Sequence, residues 1–215
     1  MLSRHSTSFA RLCGLTILAL LLATGCASGP KPAADGNDAA AGDGGAMREV
    51  PPEAQTLYEQ AVASMAAGDS IDAELRFQEF LLQYPDYPGA HVNLAIIFAA
   101  RDDLAAAENS LTDALIIDPE YGPAQNQLGM VLRRQGKFVE AESAYLKAVT
   151  ADPDYALAHY NLAVLYDLYL QRLDSALVHY ERYQVLTGED KQVTRWIADL
   201  KRRIESATRA ANVTE

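Results

Sequence analysis

Apolar positions along this chain recur at helical spacing, in short runs punctuated by glycine and proline. Between residues 123 and 135, Leu128, Gly129 and Leu132 fall at i, i+1 and i+4 and share one helix face. Gly136 breaks that run and suits a tight turn. From Phe138 to Thr150, Ala141, Tyr145 and Ala148 stand at i, i+4 and i+7, the inner stripe of a second helix. Pro153 follows and blocks continuation, while Asp152 and Asp154 beside it suit a turn and the next helix start. The pattern predicts two helices packed closely together, with Gly129, Ala141 and Ala148 small enough to permit the approach.

The same pattern returns with a 34-residue period. Pro85, Pro119 and Pro153 keep that interval, as do Tyr87, Tyr121 and Tyr155. Small residues recur at Ala61, Ala95, Gly129 and Ala163, and again at Ala73, Ala107 and Ala141. Four places after the second series come Phe77, Leu111 and Tyr145; Leu94, Leu128 and Leu162 form a further row. Four units result, at about residues 54–87, 88–121, 122–155 and 156–190. The first departs from the others, with Gln60 and Ser64 where apolar residues stand later. The fourth has one extra residue between Tyr166 and Ala176, which belongs either in the turn near Gln171–Asp174 or in a bulge ending its first helix. A last amphipathic helix is expected at about 190–207, with Val193, Trp196, Ile197, Leu200 and Ile204 inward. Its outward face carries Lys191, Arg195, Lys201, Arg202 and Arg203, and residues 208–215 read as a flexible tail.

A 34-residue helix pair with these small and large positions resembles the tetratricopeptide repeat (TPR). The resemblance covers residues 54 to about 189 and implies an all-α, right-handed solenoid. Its four helix–turn–helix units would be closed by a C-terminal capping helix, because no unit buries its apolar face alone. The capping helix is either only a lid on the last core layer or also a basic docking site for an acidic partner or lipid headgroups. The resemblance further implies that the first helix of each unit lines a concave groove. Carried over by position, the groove residues are Val92, Asn93 and Ile96 in unit two, and Asn126, Gln127, Met130, Arg133 and Arg134 in unit three. Unit four would supply Tyr160, Asn161, Val164 and Asp167. The amides Asn93, Gln127 and Asn161 share one position. They either meet an extended peptide backbone or tie adjacent helices together. The Lys and Asn residues by which one TPR class clamps a C-terminal carboxylate are not found.

Residues 1–25 read as an address. Arg4 and Arg11 precede the apolar run from Leu12 to Ala23, which is short for a transmembrane helix and suits a secretory signal. Leu22-Ala23-Thr24-Gly25-Cys26 resembles a lipobox, with Ala23 in place of the usual Leu and Cys26 as the lipidated residue. Ala27 stands where the inner-membrane retention signal of enteric bacteria has Asp, so the resemblance implies a periplasm-facing domain anchored at the outer membrane. Residues 26–50 begin at that Cys and continue as Ala, Gly, Asp and Pro, a composition expected to form a disordered linker before the TPR domain at 51–207.

The formal net charge of −11 argues against nucleic-acid binding, which needs a basic stripe. Both cysteines, Cys13 and Cys26, precede the repeats, so the repeats hold neither a disulfide nor a Cys-ligated metal. His91 and His159 occupy the fourth place of their units and read as packed residues. No phosphate-binding glycine loop, His-Glu metal motif or nucleophile elbow is present. The expectation is therefore an adaptor without catalysis, metal, cofactor or small-molecule substrate, holding one or more envelope proteins. Some lipoproteins that assist pilus secretin assembly share the lipobox-plus-TPR layout, which makes an assembly role the alternative.

Overall fold

The computed structural model describes residues 51–213, so the signal at 1–25, Cys26 and the linker at 26–50 lie outside the described residues. The described chain is a succession of antiparallel helix pairs: α1 (Pro52–Ala66) with α2 (Ser70–Gln83), α3 (Pro88–Ala100) with α4 (Leu104–Ile117), and α5 (Gly122–Arg134) with α6 (Phe138–Ala151). The fourth pair is α7 (Ala156–Val164), prolonged by a π-helical segment (Leu165–Tyr169), with α8 (Leu173–Thr187). Helix α9 (Lys191–Val213) closes the array. It runs past 207, so residues expected in a flexible tail are helical as far as Val213.

The turn inside each pair uses the same device. Gly68, Asp102, Gly136 and Gln171 all have positive φ, the first three spaced by one repeat and the last by one residue more. Glycine takes this left-handed conformation without strain and Asp tolerates it, whereas Gln171 is an unusual occupant. The following residue caps the second helix. Asp69 and Asp103 do so through their carboxylates, accepting from the Asp72 and Ala106 amides at 3.0 Å. Lys137 and Arg172 hold the same place in units three and four and make no such cap. They reach back to the preceding unit, to Glu108 and Glu142 respectively.

The extra residue of unit four is absorbed in the bulge, not in the turn. The Leu170 amide donates to the Leu165 carbonyl, five residues back, at 3.0 Å. After this widened turn, Ala176 and Tyr180 recover the buried places that Ala141 and Tyr145 hold in unit three.

Buried apolar side chains form three groups, each drawn from more than one pair. The first joins Ala61, Phe77 and Phe80 of unit one to Ala90, Leu94 and Ile97 of unit two. The second joins Val92, Ala107 and Leu111 to Tyr121, Ala124 and Val131. The third runs from Leu132 and Tyr145 through Leu162 and Tyr180 to Val193, Ile197 and Leu200 of α9. At the free end, Ser64 bonds to the Asp72 carboxylate and Arg76 to Gln60, so the atypical polar residues of unit one form a wet terminal face.

Close approach within unit three depends on Gly129. A Cβ there would lie 2.5 Å from the Tyr145 ring. Overpacking costs about 1–3 kcal/mol, against roughly 1 kcal/mol gained in helix propensity. Gly129→Ala is therefore expected to destabilise the domain by about 1–2 kcal/mol in chemical denaturation. Adding Tyr145→Leu, the equivalent of Leu111 packed in unit two, should relieve most of that loss.

Candidate functional site

The inner surface is built by the first helix of each pair. Helix α3 touches α5, and α5 touches α7, whereas no comparable contact links α2 to α4 or α4 to α6. Neighbours on the inside of a curve are closer than those outside, which places α1, α3, α5 and α7 on the concave side.

Most of the groove positions expected from sequence are buried between these helices. Val92 and Val164 belong to the core. Asn93 donates to the Tyr58 hydroxyl at 2.7 Å, and Asn161 donates to the Asn126 side-chain oxygen at 2.9 Å. Asn126 also approaches the Tyr155 hydroxyl at 3.5 Å. Of the two roles open to the amides, Asn93 and Asn161 take the structural one, tying each first helix to its neighbour. In unit three that role falls to Asn126, one place earlier in the repeat than Gln127, which remains partly exposed. Tyr160 is covered by Tyr183, Tyr180 and Trp196, with ring centroids 5.2, 6.1 and 6.2 Å away. Asp167 is buried and pairs with Arg203 of α9 at 2.7 Å. The accessible inner surface thus narrows to Ile96, Gln127 and Met130, flanked by Arg134 and Tyr169. Arg134 donates to the Ala99 carbonyl at 2.7 Å and to Asp102 at 2.9 Å. Arg133 is buried with its guanidinium 5.6 Å from the Tyr169 ring centre. Repeat spacing does not point to Tyr169, because its position depends on the π-helical turn.

Larger exposed apolar side chains lie on the outer helices: Ile71, Leu75 and Leu82 on α2, Ile116 on α4, Val139 on α6, and Val178 and Val185 on α8. Helical periodicity reads them as solvent-side positions, so the sequence pattern carries no signal for this outer row.

The capping helix is held by the Asp167–Arg203 pair and by Lys201–Glu181 at 2.8 Å. Part of its basic face is thereby neutralised. A cleft of about 390 Å³ opens between the turns joining units two to three and three to four. Asp118, Glu120, Asp152 and Tyr155 are among its lining residues. Asp118 and Asp152 each accept a backbone amide two residues on, which makes them turn-forming side chains. Among the described residues no three His, Cys, Asp or Glu side chains could hold a metal ion, and no helix is long and apolar enough to cross a membrane.

The fourth place of each unit has a structural task. Gln125 donates to the Pro119 carbonyl at 3.1 Å, and His159 lies 3.1 Å from that of Pro153 through Nε2. His91 faces the Pro85 carbonyl in the same way. A carbonyl only accepts, so His159 carries its proton on Nε2. Its bare Nδ1 then accepts from His179 Nδ1, 2.9 Å away. Burial, with a contribution from His159, pushes His179 down to about 4.

Family models described as tetratricopeptide repeat and TPR repeat match residues 58–122 and 129–169. No curated protein matches the chain. Among solved structures, the chain is similar to pilF of Pseudomonas aeruginosa, at 21% identity and a TM-score of 0.65, over 74% of this chain and 72% of that one. It is similar to MamA of Desulfovibrio magneticus RS-1, at 19% identity and 0.61, over 76% and 92%. It is likewise similar to a thermophilic TPR protein of Thermus thermophilus, at 25% identity and 0.61, over 71% and 83%.

The histidine pair predicts a pH dependence. Between about pH 4 and 6.5 the unfolded chain binds more protons at His179 than the folded one, so stability falls as pH falls through that window. Allowing for partial exposure, the loss is on the order of 1 kcal/mol. Thermal melts from pH 7 to 5 should show it, and His179→Asn should flatten that part of the curve. The repeated helix pairs, the shared inner row and the matching repeat models together identify the described part of this chain as a tetratricopeptide-repeat solenoid.

Proposed function

We propose that this protein is a lipid-anchored envelope adaptor, tethered through Cys26 at the outer membrane, that performs no chemistry and holds an extended segment of a partner protein in its inner groove. TPR solenoids are scaffolds for protein–protein interaction, and the reading rests chiefly on one observation. Ile96 and Met130, one repeat apart on neighbouring inner helices, keep apolar surface accessible with the Gln127 amide beside them. Apolar contacts flanked by an amide suit an extended peptide, whose backbone requires donors and acceptors. The lipobox-like sequence and the Ala/Gly/Asp-rich stretch after it support a tether between membrane and domain.

Assembly of a multi-protein envelope machine, such as a type IV pilus or secretion apparatus, is the second reading. The likeness to pilF over about three quarters of this chain favours it.

Site-specific photo-crosslinking in cells tests the groove. A photoreactive residue at 96 or 130 should capture a discrete partner, whereas one at 82 or 139 on the outer helices should not. Capture only from the outer positions would move the binding surface to the convex side. Membrane fractionation of Cys26→Ala tests the tether, with release from the membrane fraction as the expected result.

A further inference from the structure

Four described arginines are at least partly buried: Arg76, Arg133, Arg182 and Arg203. Three have a carboxylate, Asp72, Asp154 and Asp167 respectively. Arg133 is the most buried, at 8% exposure, and among the described residues it has no carboxylate within ion-pairing distance. Its Nη1 donates to the Tyr169 hydroxyl at 3.4 Å, long for such a bond. The Tyr145 hydroxyl lies near the guanidinium but outside hydrogen-bonding geometry. The Arg133 Nε is buried with no partner, as are the Tyr145 and Tyr180 hydroxyls. The phenols do not supply the missing charge. Burial pushes Tyr145 up to about 12 and Tyr180 higher still, and the nearby Arg133 charge only partly opposes this.

A guanidinium removed from water without an anion is strongly unfavourable. Where a fold leaves one on the rim of a binding groove, the missing anion is a ligand group. Two further features point the same way. The side chain over Arg133 is Tyr169, which is 39% exposed and stands at the end of the π-helical turn, so displacing it costs its contact with the partly buried Phe138 ring, 4.8 Å between centroids, but uncovers no fully buried aromatic partner. Arg133 also lies one helical turn from Met130, so a segment resting an apolar side chain on Met130 brings its next residues past the guanidinium.

We infer that Arg133 is the anion receptor of the groove, taking the side-chain carboxylate of an Asp or Glu in an extended partner segment whose apolar neighbour rests on Met130 and Ile96. This rests on the groove reading above. Tyr169 covers the guanidinium while the groove is empty and is displaced by the carboxylate. Asp167, the next residue in the same row, is already neutralised by Arg203, so the groove offers one unpaired positive charge in an otherwise acidic protein.

An array of short random-sequence peptides tests this. Each peptide is printed with its acids and with Gln or Asn in their place, and with free and amidated C-termini. It is probed with the wild-type repeat domain attached to its full chain, and with Arg133→Met and Arg133→Lys. The expected result is a preference for one acidic position, worth roughly tenfold or more over the amide. That preference should be lost in Arg133→Met and weakened in Arg133→Lys. Arg133→Met should also melt at the wild-type temperature or above, because an apolar side chain replaces an uncompensated charge. Capture without acidic preference, or a preference unchanged in Arg133→Met, overturns the receptor and leaves the groove standing. Binding that depends on a free C-terminus overturns the side-chain source. Failure of every peptide to bind overturns groove and receptor together. A lower melting temperature for Arg133→Met overturns the receptor by making Arg133 a structural strut.

Discussion

Each helix pair in this chain has an apolar face that only the next pair covers, and the rest of the structure follows from that dependence. Phe77 and Phe80 are buried because α3 lies against them; Leu111 is buried because α5 does. At the last pair, Tyr160 and Tyr180 have no fifth unit to meet, and Val193, Ile197 and Leu200 of α9 take its place. Helix α9 has a strongly polar back, so the succession can stop there. The first unit stops it at the other end differently, by carrying Gln60 and Ser64 where later units have apolar residues and bonding them to Arg76 and Asp72.

Apolar stacking fixes proximity but not register, and the polar groups supply register. Glu74, Glu108 and Glu142 stand one repeat apart on successive second helices. Each grips the turn of the following unit: Arg101 for the first, Gln135 and Lys137 for the second, Arg172 for the third. Gln135 first and Lys137 second hold the Glu108 carboxyl below its usual range. These pairs are partly exposed and individually contribute little. Their effect is geometric: sliding a unit along its neighbour breaks the grip at that junction, and with it the Asn93–Tyr58 bond between units one and two or the Asn126–Asn161 bond between units three and four.

The repeat, the number of units, the cap and the alternative sites for the extra residue are legible in the sequence because each is a matter of spacing. What stays hidden depends on neighbours far along the chain. Position in the repeat assigns Asn93 and Asn161 a place on the groove, but their partners, Tyr58 and Asn126, come from the preceding unit and bury them. Gln127 shares their number in the repeat, yet it is Asn126 that is buried, accepting from Asn161 of the following unit. Arg133 stands out in the sequence as a basic spot. That its charge is buried and unpaired depends on Tyr169, which reaches it only through the widened turn. The left-handed residues at Asp102 and Gln171 are equally silent, because neither is a glycine. Ile71, Leu82 and Ile116 sit at ordinary solvent-side places of their helices, and spacing alone does not reveal how much apolar surface they leave open.

The 35-residue fourth unit limits how this chain can change length over evolutionary time. Units one to three have equal spacing, so duplicating one whole repeat behind the polar end of unit one keeps the following junctions in register. Through its bulge the fourth unit is matched on one side to unit three, where Tyr166 meets Glu142 and Tyr169 meets Arg133, and on the other to α9 by the Asp167–Arg203 pair. Recombination through that end would join helices whose faces no longer coincide. The array can therefore lengthen nearer its N-terminal side, while the C-terminal end is inherited as one piece.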